Sequence, residues 1–184
     1  MRSHSTLGHT LIELLIVLAL ITTLLGVAVP SFHSGLKQQQ LRVAVNDLLA
    51  AINLTRSQAI ARGGQVLMAP LEPAGASWRE GWVVFVDENG NRRHDAGELL
   101  LTRHGPVAEG ITITSAFSSA AAPQYLAYNA AGRACSASNS LAARWGTLSL
   151  TRGDDVRNIK INMLGRARVC DPAAGDASCA SAKD

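Results

Sequence analysis

The sequence predicts an α+β fold in which a long N-terminal helix packs on antiparallel β-sheets. An uncharged, mostly apolar stretch runs from Leu14 to Leu36, and helical periodicity then continues to Gly63. From Gln65 onward the pattern changes to short strands separated by turns. With 184 residues, 47 % of them hydrophobic and 17 % charged, the chain has the length of one domain plus an anchor.

The first apolar stretch is long enough to cross a bilayer of about 30 Å at about 1.5 Å per helical residue. Glu13 stands at its head, and a carboxylate near a bilayer is costly unless it is paired. Two interpretations of Glu13 remain open. It lies at the headgroup level, or it is a functional group that meets a positive partner.

Beyond Pro30, whose missing amide hydrogen can kink a helix, one apolar stripe follows at spacings of four, three and four residues. The stripe consists of Leu41, Val45, Leu48 and Ile52. It predicts a helix face that packs on a sheet and ends at the Gly63-Gly64 pair.

The remaining chain predicts a β-rich head. Trp82 to Val86 is apolar on both faces and should be covered by the helix on one side and by other strands on the other. A polar loop and a second strand follow it. Further strands are predicted at Gly110 to Ser115, Gln124 to Asn129, Gly146 to Arg152 and Arg157 to Met163. The last two should form a hairpin whose solvent-facing side chains are Thr147, Ser149, Thr151, Asn158, Lys160 and Asn162.

The loop from Asp87 to Glu98 places oxygen-bearing side chains at the first, third, fifth, ninth and twelfth places of a calcium-binding pattern. The glycine needed at the sixth place is replaced by Arg92, and no predicted helices flank the loop. A plain hairpin explains the same residues. We therefore expect no metal and no cofactor.

The three cysteines form no C-x-x-C pair, which argues against zinc. In an exported head we expect one disulfide and one remaining thiol. Cys170 and Cys179 flank a turn-forming segment and are the first choice, with Cys135 to Cys170 as the alternative. No catalytic motif appears, so an enzyme is not expected.

The stretch "GHTLIELLIVLALITTLLGVAVPSF" resembles the leader and anchor of type IV pilins and type II secretion pseudopilins. The resemblance implies that a prepilin peptidase cuts after Gly8 and methylates His9, where the family usually has Phe. It also matches Glu13 and Pro30 to the family's conserved glutamate and proline. The new amino terminus of one subunit can then pair with Glu13 of its neighbour in a filament.

This resemblance implies a pilin-like organisation. Residues 1–8 form the removed leader, 9–30 the transmembrane and assembly helix, 31–64 its amphipathic continuation, 65–170 the head and 171–184 the tail. The expected location is the inner membrane with a periplasmic head, followed by the pilus and the cell surface. The expected partners are other pilin subunits, the prepilin peptidase and the inner membrane.

Positive charge is concentrated between Arg133 and Arg168. This segment contains seven basic residues and only two acidic ones, Asp154 and Asp155. Charge of one sign in one piece of a fold suits a polyanion, although an ordinary solvated strand face explains it too. "GRAR", Gly165 to Arg168, resembles the G-R-x-R motif of FimT-type minor pilins that contact DNA. The alternative is the H-type pseudopilin of type II secretion, with a structural role at the tip.

If the strand period persists past Gly165, Met163, Ala167 and Val169 face inward with Ile159 and Ile161. The DNA-binding residues are then Lys160, Gly165, Arg166 and Arg168, with the two arginines about 6 to 7 Å apart on the wet face. No aromatic residue was found in phase with them. The sequence therefore predicts weak, sequence-independent, salt-dependent binding without base stacking.

Overall fold

The computed structural model describes residues 10–119, 122–175 and 177–179. Gly8 and His9, the predicted processing site, lie outside these residues, as does the end of the tail. The chain divides into two compact units, with the boundary between Gln39 and Gln40.

A single helix, α1, runs from Leu11 to Arg62. Thr10 caps its start, because the Glu13 amide donates to the Thr10 hydroxyl over 3.3 Å. Glu13 is exposed in the first turn, and the helix continues past position 30 without a break. In the ranges that the structure describes, no helix combines the length and the apolar character needed to cross a bilayer.

The first unit exposes its large apolar side chains to an unusual degree. Among its described residues they range from 45 % exposed at Leu36 to 79 % exposed at Leu11. These side chains are Leu11, Ile12, Leu14, Leu15, Ile16, Val17, Leu18, Leu20, Ile21, Leu24, Leu25, Phe32 and Leu36.

In the second unit, the predicted helical stripe is buried. Leu41 and Val45 are 2 % and 4 % exposed, and Leu48 and Ile52 are fully buried. The helix ends where the two glycines follow it, with Gly63 in the left-handed region at a φ of 62°. Both the stripe and the stop are confirmed.

The head contains two antiparallel sheets. The strands are β1 Val66–Pro70, β2 Trp82–Phe85, β3 Leu100–His104, β4 Thr112–Phe117, β5 Leu126–Tyr128, β6 Ala134–Cys135, β7 Gly146–Arg152, β8 Asp155–Ile161 and β9 Ala167–Cys170. Five strands form one sheet in the order β3-β2-β1-β5-β6, and four form the other in the order β4-β7-β8-β9. This is the predicted α+β architecture, although β1, β6 and β9 were not predicted as separate strands.

One core joins the helix stripe to the inner faces of both sheets, including Val84 of β2 and Ile159 of β8. A second, smaller cluster lies on the other face of the five-stranded sheet and includes Val83 and Phe85. The double burial predicted for β2 is therefore confirmed. Its second cover differs from the expected strands, because Ala137 from the segment after β6 packs there.

The strand predicted from Arg157 to Met163 begins two residues earlier, at Asp155, and ends at Ile161. The chain then reverses direction and returns as β9, with Ile161 opposite Ala167. Asn162 makes the turn, because its Oδ1 accepts from the amides of Leu164 at 3.1 Å and Arg166 at 2.9 Å. Met163, predicted to face inward, is 52 % exposed in this turn.

The strand period returns in β9, where Ala167 packs against the core and Val169 has the same inward phase. Val169 is nevertheless 40 % exposed, since β9 is the edge strand of this sheet among the described residues. The prediction that Val169 is buried is therefore wrong in degree, although its face was predicted correctly.

The outer face of the four-stranded sheet was predicted to be exposed to solvent, and this prediction is wrong for three of its residues. Thr147, Ser149 and Asn158 are 9 %, 2 % and 0 % exposed. The tail covers Asn158, whose Nδ2 donates to the Cys179 carbonyl over 2.8 Å. Two one-turn 3₁₀ helices, Pro172–Ala174 and Ala177–Cys179, and a Cys170–Cys179 disulfide hold this tail in place.

Gly165 should be intolerant of a side chain. Its φ is 79°, and an added Cβ would lie 2.3 Å from the Gly132 carbonyl oxygen and 2.7 Å from the Tyr128 ring. We expect Gly165→Ala to lower the free energy of unfolding by about 3 kcal/mol or more, because backbone strain and overlap add. Denaturant unfolding measures the change.

Gly153, in the turn between β7 and β8, provides the control. Its φ is 59°, but an added Cβ would meet nothing within 4 Å. Gly153→Ala should therefore cost only the strain of about 1 to 2 kcal/mol. Equal losses in the two variants would contradict the tight packing of Gly165.

Candidate nucleic-acid interface

A groove of about 630 Å³ lies on the outer face of the four-stranded sheet. It is lined by Ala116, Ser118, Trp145, Gly146, Thr147, Lys160, Ile161, Asn162, Arg166 and Arg168. Three of these side chains are cationic, and none of the described residues that line the groove is acidic. The groove is therefore a local concentration of positive charge.

Strand register explains why these residues meet. One row across the sheet places Ala116 opposite Thr147, Thr147 opposite Lys160, and Lys160 opposite Arg168. Directly opposed side chains have Cβ atoms about 4.5 to 5.5 Å apart. The predicted set of Lys160, Arg166 and Arg168 is thus brought together by a hairpin and not by one continuous strand.

A second row of residues crosses the sheet just beyond the last paired residues of the four strands. It consists of Ser118, Trp145, Asn162 and Arg166. The Ser118 amide donates to the Trp145 carbonyl over 2.8 Å, and the Asn162 amide donates to the Arg166 carbonyl over 3.1 Å. Since alternate residues of a strand share a face, this row presents its side chains on the same side as the first. The two rows together form the floor and walls of the groove.

Arg168 is held by the tail. Its Nη2 donates to the Ser178 carbonyl over 3.0 Å and to the Ser178 hydroxyl. Ser178 precedes Cys179, so the disulfide fixes the segment that positions Arg168. Arg166 is exposed, and Lys160 is half-buried.

Gly165 does not face the groove. It is buried, and the Tyr128 hydroxyl donates to its carbonyl over 3.0 Å. Its role in the structure is to bend the chain before Arg166. Gly165 therefore contributes to the groove through this bend, and its assignment to the DNA-binding residues stays a prediction.

Not every basic residue of the Arg133 to Arg168 segment contributes to the groove. Arg144 is 2 % exposed, and its guanidinium lies 4.2 Å from the Phe117 ring centroid and 4.1 Å from that of Tyr125. Burial lowers the pKa of Arg144 to about 10. Arg157 instead forms an ion pair with Asp171 at 2.8 Å.

Trp145 is a functional candidate that the sequence reasoning missed. It lines the groove and is 45 % exposed. The prediction that no aromatic residue accompanies the arginines is therefore wrong. The signal was present, since Trp145 precedes Thr147 by two residues and shares its phase, but it lies just outside the predicted strand.

In the Asp87 to Glu98 loop, the carboxylates accept hydrogen bonds from backbone amides of the same loop. Asp87 accepts from the amides of Gly90 and Arg92, each over 2.9 Å. Glu98 accepts from the amides of Glu88 at 3.0 Å and Asp95 at 2.9 Å.

Within the same loop, Asn89 donates to Asp95 over 2.8 Å, and this hydrogen bond is the main cause of the lowered pKa of the Asp95 carboxyl. Over the described ranges, no cluster of three or more histidine, cysteine, aspartate or glutamate side chains is suited to a metal.

Calcium should not stabilise this loop. The carboxylates of the loop already accept hydrogen bonds from backbone amides, and a cation would have to break these hydrogen bonds to bind. We expect the thermal midpoint to differ by less than about 1 °C between excess chelator and millimolar calcium, since a ligand that binds the native state raises it. A calcium-dependent rise of several degrees would show that the loop is a metal site.

Cys135 is the thiol outside the disulfide. It is buried, and Gln65 donates to its Sγ over 3.3 Å. Burial raises the pKa of the Cys135 thiol, which keeps it protonated. Of the two pairings considered from the sequence, the structure contains Cys170–Cys179.

Known proteins share both the sequence pattern and the fold. The family described as type II transport protein GspH matches residues 44–165. The pilin-like protein PilA1 of Thermus thermophilus is 32 % identical over 164 residues, which cover 88 % of this chain and 97 % of that protein.

Two solved structures share the fold at low identity. The type IV minor pilin FimU of Pseudomonas aeruginosa has a TM-score of 0.58 at 20 % identity, covering 74 % of this chain and 92 % of FimU. The minor pseudopilin EpsH of the Vibrio cholerae type 2 secretion system has a TM-score of 0.50 at 14 % identity, covering 72 % and 98 %. Identities this low establish the architecture alone.

Proposed function

The chain belongs to the GspH family of pilin-like minor subunits, and from that premise we propose that it is a minor type IV pilin whose head binds DNA. In this proposal it is incorporated in a pilus or primes one, and it contacts DNA without sequence preference during natural transformation. Its role is structural and binding, not catalytic.

The observation that carries this proposal is the convergence of Lys160, Arg166 and Arg168 on one groove. Arg168 lies on β9 and Arg166 directly precedes this strand, so the two residues are about 6 to 7 Å apart at the usual rise of an extended chain. That distance is comparable to the separation of adjacent phosphates in one nucleic-acid strand. Lys160, opposite Arg168, adds a third cation within reach of the same backbone.

Contacts of this kind predict the character of the binding. Arginine and lysine neutralise phosphates and release counterions, so affinity falls steeply as salt rises. Phosphate contacts carry no direct sequence information. The head should therefore bind DNA of any sequence weakly and reversibly, which suits a subunit that captures DNA at a cell surface.

The N-terminal helix supports the filament part of the proposal. Its exposed apolar side chains, from Leu11 to Leu25, need a bilayer or neighbouring subunits to cover them. We propose that prepilin peptidase cuts after Gly8 and methylates His9, that the helix anchors the precursor in the inner membrane with a periplasmic head, and that Glu13 pairs with a neighbour's amino terminus after assembly. Pro30 would lie at the end of this anchor.

A type II secretion pseudopilin is the second candidate, with a structural role at the pseudopilus tip. The description of the matching family as a type II transport protein favours it. The two candidates differ in what the groove does. A structural role in a secretion pseudopilus does not require three cationic side chains to converge on one face, whereas DNA binding does.

Replacing both groove arginines, Arg166→Ala with Arg168→Ala, should weaken binding of the full chain in detergent to duplex DNA. The plot of log affinity against log salt should flatten by about 1.8, because each lost phosphate contact contributes about 0.9. Fluorescence anisotropy over a salt series measures both quantities.

Arg103→Ala is the matched control, because Arg103 is exposed on β3 of the other sheet. It should leave the salt slope within error of wild type. A double variant that folds, as judged by circular dichroism, and keeps the wild-type slope would rule out the groove as the phosphate site.

Glu13→Ala should be processed normally but enter filaments poorly, because the neighbour's amino terminus would lose its partner in an apolar setting. Glu13→Gln keeps the shape of the side chain and removes its charge, so it should fail to a similar extent. Immunoblots of sheared filaments and membranes measure incorporation. Normal incorporation of the Gln variant would show that charge pairing is not what Glu13 provides.

A further inference from the structure

We propose that Trp145 stacks on an unpaired base, so that the groove prefers single-stranded to duplex DNA. This inference rests on the proposed DNA-binding function and specifies the form of DNA that the same site takes. It begins from the one aromatic side chain among the residues that line the groove.

Trp145 differs from the other two tryptophans of the chain. Trp78 and Trp82 are 0 % and 1 % exposed and belong to the core, whereas Trp145 is 45 % exposed. Burial of a large aromatic side chain stabilises a folded protein, and tryptophan is highly buried on average. A half-exposed indole beside three cations therefore departs from this tendency. Tryptophan is also an effective surface for stacking and cation–π contacts.

Two hydrogen bonds to Ser118 and the burial of the preceding residue fix the backbone of Trp145. Its carbonyl accepts from the Ser118 amide at 2.8 Å, and its amide donates to the Ser118 hydroxyl over 3.3 Å. The preceding residue, Arg144, is buried between the rings of Phe117 and Tyr125. Because Arg144 is anchored inward, the next side chain along an extended backbone points outward. The backbone of Trp145 therefore loses little freedom when a base stacks on the indole.

The cations lie where the phosphates of a stacked nucleotide would be. Trp145 and Arg166 occupy the same row, two strand spacings or about 10 Å apart. Lys160 lies in the neighbouring row between them, opposite Arg168. A strand that places one base on the indole can therefore direct its adjacent phosphates toward these cationic side chains.

Duplex DNA cannot use this platform without being opened. Except at its two ends, a duplex stacks its bases on one another and presents only their edges to a protein, whereas an unpaired base exposes its π-face. Duplex binding would rely on the cations alone. Single strands should gain about tenfold in affinity from one stacked base.

The test uses the full chain in detergent at low salt with three probes of equal length. They are oligothymidylate, an abasic strand with the same phosphates but no bases, and a blunt duplex. Oligothymidylate should bind about tenfold more tightly than the abasic strand. It should also quench tryptophan fluorescence, while the abasic strand should not.

Trp145→Ala should remove the difference between oligothymidylate and the abasic strand and leave abasic binding within about twofold. Trp145→Phe should keep part of the preference, because a phenyl ring still stacks. If Trp145→Ala does not fold, quenching of the wild type by oligothymidylate and not by the abasic strand decides the matter.

The outcomes separate the two proposals. Equal binding of all three probes, unaffected by Trp145→Ala, would overturn stacking and leave phosphate binding intact. Tighter binding of the duplex than of oligothymidylate would overturn the strand preference. Absence of binding to every probe at low salt would overturn the DNA-binding function, and the stacking proposal with it.

Discussion

The apolar stripe of α1 from Leu41 to Ile52 is the surface on which the architecture of the head depends. Both sheets place their inner faces in the core that contains this stripe, with Val84 representing one sheet and Ile159 the other. Strand alternation then determines what remains outside. In the four-stranded sheet, residues that alternate with core positions, such as Thr147 and Lys160, must face outward. The groove is therefore a consequence of how the helix is buried.

Two local features convert that outer face into a site. The turn at Asn162 and Gly165 folds β9 back along β8, which places Arg168 opposite Lys160. The tail then covers the far part of the face and holds Arg168 through Ser178, next to the Cys170–Cys179 disulfide. Buried Arg144 shows why charge counted along the chain overstates a surface, since its guanidinium lies between aromatic rings. Position in the fold decides which cations can meet a polyanion.

Periodicity predicted the elements that depend on local sequence. The buried stripe ending at Gly63, the strand from Gly146 to Arg152 and the inward phase of Ile159 all follow from spacing alone. Features that depend on tertiary contacts did not follow. The reversal at Asn162 rests on a side chain capping two amides, and the cover over Asn158 comes from a tail 21 residues away. Trp145 was missed because it lies one residue before the predicted strand from Gly146 to Arg152. Its hydrogen bond to Ser118 extends the pairing of the two strands to this position.

Pilin-like subunits of this family share a helix and sheets, so the outer face of the head is where one member can differ from another. The central claim is that this face, at the groove, is where DNA binds. Mapping amide and guanidinium chemical shifts of the isotope-labelled full chain in detergent micelles, during titration with a short oligonucleotide, tests it most directly. We expect changes concentrated at residues 145–147, 160–162 and 166–168, with the signals of Arg103 unchanged. Changes centred elsewhere on the head, with these residues unaffected, would contradict it.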